Sequence, residues 1–82
     1  MTQEMFENRM PNGWTVEEWK LDGNDDSFWY LNHYGDACIL VKIINNVTGH
    51  AEGLQTMKDN PTYDSISVGL EVTLDRMMNY AT

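Results

Sequence analysis

The sequence predicts an α+β fold: a three- to four-stranded antiparallel β-meander packed against one C-terminal α-helix, with a short N-terminal helical turn as an optional extra. Three observations carry this. Apolar and aromatic residues, rich in strand formers, cluster in two strand-length runs between Ser27 and Val47. From Ile66 onward they recur every three or four residues instead. Between the runs stand turn signals: Pro11-Asn12-Gly13, Asp22-Gly23-Asn24-Asp25-Asp26, Tyr34-Gly35-Asp36 and Lys58-Asp59-Asn60-Pro61.

The first segment, Thr2 to Met10, places Met5, Phe6 and Met10 at near-helical spacing behind Thr2 as a cap. A frayed terminus fits it equally well. Trp14 to Leu21 carries conflicting signals. Thr15-x-x-Glu18 has the form of a capping box that starts a helix. Trp14, Val16, Trp19 and Leu21 suit a strand, with a parity shift at Glu17-Glu18 that a β-bulge absorbs. The strand is the favoured reading.

Ser27 to Tyr34 reads as the second strand and Ala37 to about Val47 as the third, joined by a tight connection at Tyr34-Gly35-Asp36. His50 to Met57 is a weaker fourth. The helix follows, capped by Asp64 or Ser65, with Ile66, Leu70, Leu74, Met77 and Met78 on its apolar face and Val68 and Val72 widening it. Gly69 in its interior costs about 1 kcal/mol relative to alanine, so it implies either close approach to the sheet or local weakness.

Alternation sorts the strand residues by face. Trp29, Leu31 and His33 share one side of the second strand, and Phe28, Tyr30, Asn32 and Tyr34 the other. On the third, Ile39, Val41 and Ile43 oppose Cys38, Leu40, Lys42 and Ile44. One helix covers one face of a small sheet. Phe28, Tyr30 and Tyr34 are therefore the expected exposed set, open to a partner, to a second copy, or to the folded-back N-terminal segment.

The 82 residues form one expected domain, 1–82. Thirteen acidic residues against five basic ones give a formal charge of −8 and a pI near 4.3. Arg9, Lys20, Lys42, Lys58 and Arg76 stand singly along the chain. Direct nucleic-acid binding needs clustered cations, so free nucleic acid and anionic membrane are poor partners. A basic protein surface is a better one, although net charge also serves solubility alone. A lone Cys38 forms no internal disulfide, no apolar run reaches membrane-span length, and the opening residues lack a leader's pattern. The expected location is the cytoplasm, or the host cytoplasm for a viral protein.

No constellation points to catalysis. His33 and Cys38 flank one turn, but no strand-turn-helix nucleophile motif surrounds the cysteine, which reads as a packed thiol. His33, Cys38 and His50 lack zinc spacing. The acidic run at Asp22 does not follow a calcium loop, since His33 stands where the bidentate glutamate belongs. No metal, cofactor or catalytic residue is expected.

The composition implies a small non-enzymatic, protein-binding module. Such a protein suits a phage or mobile element as an inhibitor, filling the basic nucleic-acid-binding groove of a larger host enzyme, such as a defence nuclease, with carboxylates in place of phosphates. The candidate partner-binding residues are Glu17, Glu18, Asp22, Asp25, Asp26 and Asp36, with Phe28, Tyr30 and Tyr34 as anchors. The alternative is a structural or assembly subunit that homodimerises through the aromatic face or a strand edge.

Overall fold

A computed structural model describes residues 1–23, 28–30, 38–56 and 63–80. Helix α1 (Gln3–Arg9) opens the chain. Thr2 caps it: its backbone is extended and its Oγ1 accepts a hydrogen bond from the Met5 N–H at 3.2 Å. Phe6 is the fully buried residue of this helix, while Met5 is exposed. The turn behind it passes through Gly13 in the left-handed region, at φ 94°.

Strand β1 (Trp14–Trp19) resolves the conflict over this segment in favour of a strand. Its register runs Val16↔Ile43 and then Glu18↔Lys42, leaving Glu17 as the extra residue of a bulge. The bulge falls where the sequence shifts parity, and it lets Trp14, Val16 and Trp19 all pack against the core.

A two-stranded ribbon follows, β2 (Leu21–Gly23) paired antiparallel with β3 (Phe28–Tyr30). The main sheet resumes with β4 (Cys38–Asn45) and β5 (Ala51–Thr56), and its order is β1-β4-β5, antiparallel throughout. Helix α2 (Tyr63–Tyr80) ends the described chain, beginning just before the expected caps Asp64 and Ser65. The α+β architecture is thus as expected: a three-stranded antiparallel sheet with a C-terminal helix and a short N-terminal one.

The pairing differs in one respect. The strand at Phe28–Tyr30 does not pair with the strand that follows it in sequence. Strand β4 contributes buried Leu40, Val41 and Ile43 to the core and takes β1 and β5 on its two edges. No edge of β4 is left for β3, which pairs back onto β2 instead. The connection at Tyr34-Gly35-Asp36 lies outside the described residues.

A second bulge changes which residues face inward. Ile39 pairs with Gln55 and Val41 with Leu54, so Leu40 is the extra residue. Leu40, Val41 and Ile43 are all buried, whereas Ile39, which simple alternation groups with Val41, is 36% exposed. The core closes with Leu21 from β2, Phe6 from α1, and Ile66, Leu70, Leu74 and Met77 from α2. Val68 and Val72 do not widen the packed face of α2; they are exposed. The buried residues span a narrower arc of the helix than the full run of apolar positions implies.

Gly69 marks close approach. A Cβ built on it falls 2.3 Å from Leu54 Cδ1 on β5. One turn on, buried Thr73 donates its hydroxyl to Gly69 O at 2.7 Å and lies 3.4 Å from Gly53 O of β5. The helix therefore sits directly on the edge strand.

The helices are also tied to each other. Arg9 Nη1 and Nη2 donate to Glu71 Oε1 and Oε2 at 2.6 and 2.7 Å, a bidentate pair. The Arg9 hydrogen bonds hold the Glu71 carboxyl below its usual range, and Glu71 in turn raises Arg9. A carboxyl depressed in the folded state adds stability above its unfolded pKa and loses it as pH falls through the folded value. Arginine stays charged throughout. We expect Glu71→Gln to flatten the stability loss as pH falls through and below the ordinary glutamate range in denaturation series. Because the pair is exposed, the difference should be small and should fade at about 1 M salt.

Candidate functional site

The sequence-predicted binding residues fall on β1 and on the ribbon after it. Glu17 and Glu18 lie at the β1 bulge. Glu17 Oε1 is 3.4 Å from Lys42 Nζ, and Glu18 Oε2 is 3.6 Å from Lys20 Nζ. Among the described residues Glu18 Oε2 is buried without a hydrogen-bond donor, and the Lys20 ammonium is its ion-pair partner.

Asp22 stands on β2 and Phe28 and Tyr30 on β3. The register sets Asp22 opposite Trp29, Gly23 opposite Phe28, and Leu21 opposite Tyr30. Five of the nine positions therefore lie on β1 and the β2–β3 ribbon that follows it. The side chains of Asp22, Phe28 and Tyr30 lie outside the described set, as do Asp25, Asp26, Tyr34 and Asp36 altogether.

Ion pairing is the most regular feature of the described surface. Arg9 holds Glu71, Lys20 holds Glu18, Lys42 holds Glu17, and Arg76 Nη1 lies 3.8 Å from Glu52 Oε1. Each described lysine and arginine is thus matched to a carboxylate of its own chain; the fifth cation, Lys58, lies outside the described residues. Glu4, Glu7 and Asp75 have no direct ion pair among the described residues, although Asp75 acts on Arg9 through its field. The surface is left with carboxylates in excess.

Sequence reasoning missed a second cluster, where the β4–β5 turn meets the end of α2. Asn45 Oδ1 accepts from the Val47 and Thr48 N–H groups, both at 3.0 Å, and Gly49 takes a left-handed φ of 77°. This turn delivers His50 face to face against Tyr80, with centroids 4.2 Å apart and planes 17° apart. Trp14 meets Tyr80 edge-on at 5.5 Å. His50 Nε2 bonds Glu52 Oε2 at 2.5 Å, and the Tyr80 hydroxyl donates to Thr48 Oγ1 at 3.0 Å.

The chemistry of this cluster is that of a clasp. The imidazole's Nε2 is committed to Glu52, one ring face is covered by Tyr80, and Glu52 is shared with Arg76. The local signal for it is His50-x-Glu52, a spacing of two that puts both side chains on one face of a strand. Trp14 and Tyr80 come from opposite ends of the chain and leave no such signal.

Among the described residues, no three His, Cys, Asp or Glu side chains converge as a metal site, and no helix is long and apolar enough to cross a membrane. No family model, curated protein or solved structure matches the chain.

Proposed function

We propose that the chain is a small, acidic, non-enzymatic binding module that occludes a basic surface on a larger protein. Its carboxylates take the place of nucleic-acid phosphates there, as an inhibitor carried by a phage or mobile element would use them against a host nuclease. One observation carries the reading: the described cations are consumed in internal ion pairs while the chain bears −8, so an approaching partner meets negative charge. Glu17, Glu18, Asp22, Asp25, Asp26 and Asp36 supply the charge, with Phe28, Tyr30 and Tyr34 as anchors.

Heterologous binding is favoured over edge-to-edge self-association. Strand β1 carries a bulge with Glu17 and Glu18 on it, and β5 lies under α2 at Gly69 and Thr73. A bulge and charges discourage strand addition at β1.

The test is affinity capture from host lysate at low and high salt, with the captured protein then assayed for displacement from duplex DNA. Binding should weaken steeply with salt. The double variant Asp25→Lys/Asp26→Lys should slow association about tenfold or more. Salt-independent capture, or an unchanged on-rate after charge reversal, would remove the electrostatic basis. A concentration-dependent dimer lost on Tyr30→Ala would favour the homodimer instead.

A further inference from the structure

We propose that the solvent face of α2 is the seat of a cationic, amphipathic segment of the partner, a placement that rests on the acidic-binder reading above. A helix packed on a sheet ordinarily turns polar residues to water. Here Val68 and Val72, one turn apart, are 61% and 40% exposed, and Met78 is 52% exposed. On α1, Met5 is 43% exposed and stands one turn before Arg9, which grips Glu71. Valine is a poorer helix former than the straight-chain residues suited to a wet surface, so helix stability does not account for these two positions.

Carboxylates interleave with the apolar residues. Glu71 and Asp75 each follow a valine by three positions, which sets them beside it on the helix surface. The nearby cations are committed, Arg9 to Glu71 and Arg76 to Glu52. Asp75 has no direct ion pair among the described residues. A second copy would bring like charge against this face. A segment with lysines or arginines beside leucine-sized side chains complements both of its features.

The probe is a synthetic helical peptide of lysine and leucine with the leucines one turn apart, compared with a scrambled peptide of equal charge. Backbone amide shifts and fluorescence anisotropy report where it binds and how tightly. The ordered peptide should shift amides along 65–80 and bind about tenfold more tightly than the scrambled one. Val68→Thr/Val72→Thr should erase that preference, and Asp75→Lys should weaken binding at low salt. Both sites are exposed, so an unchanged melting curve would show that folding is intact.

Equal affinity for the two peptides, or shifts confined to β1 and the β2–β3 ribbon, would overturn this placement and leave the acidic-binder reading standing. Absence of salt-sensitive binding to either peptide would remove both.

Discussion

Gly53→Ala is expected to destabilise the protein by about 3 kcal/mol or more, placing it at the severe end of single substitutions. A Cβ at this position falls 2.1 Å from the Val41 carbonyl oxygen, 3.1 Å from the Val41 carbonyl carbon and 3.2 Å from Lys42 Cα. All three atoms are backbone of the central strand, so no rotamer change relieves the overlap. Strand β5 must move off β4, which strains ladder hydrogen bonds and loosens Leu54 against the core. For a domain of this size, a loss of that order lowers Tm by roughly 10–20 °C. Calorimetry or circular-dichroism melts give the number directly.

Gly69→Ala is the informative comparison. Its Cβ also meets an atom too closely, but that atom is Leu54 Cδ1, the tip of a side chain that can turn. Alanine returns about 1 kcal/mol of helix propensity at the same time. The net change should be much smaller than for Gly53→Ala. Equal losses at the two glycines would mean that the β4–β5 spacing yields as readily as the Leu54 side chain.

Local features of this fold were legible in the sequence, and non-local ones were not. The Thr2 cap, the strand character of Trp14–Trp19 with its bulge at Glu17, and the C-terminal helix each have signals within a few residues. Partner choice has none. Its aromatic composition marks Phe28–Tyr30 as a strand but says nothing of whether it pairs forward or back. That is decided by β4, whose edges go to β1 and β5. The Leu40 bulge was equally hidden, because Cys38 to Ile44 is apolar at nearly every position and any register looks plausible from sequence. On α2 the apolar arc is wider than the sheet can cover, and only packing reveals that Val68 and Val72 are the surplus. The candidate site divides in the same way. Excess carboxylates are visible in composition, whereas the pairing of Arg9 with Glu71 and of Lys42 with Glu17 requires the fold.

Phe6→Ala should cost about 3–5 kcal/mol, the range for deleting a buried phenylalanine side chain. Against a total stability of only several kcal/mol for a domain this small, that leaves much of the population unfolded at physiological temperature. The reason lies in where α1 ends up. Phe6 is fully buried and its ring meets Trp19 at 5.4 Å and 56°, so truncation opens a cavity between α1 and β1. Urea denaturation followed by tryptophan fluorescence is the direct measurement, since Trp19 itself lines that cavity. Phe6→Leu, which keeps most of the volume, should lose substantially less. A loss within about 1 kcal/mol for Phe6→Ala would mean that α1 is an appendage rather than a wall of the core. The result also bears on binding, because α1 positions Arg9 on Glu71. If α1 detaches in Phe6→Ala while the rest stays folded, Glu71 loses its cation, and affinity for the lysine–leucine peptide should change at low salt without any substitution on α2.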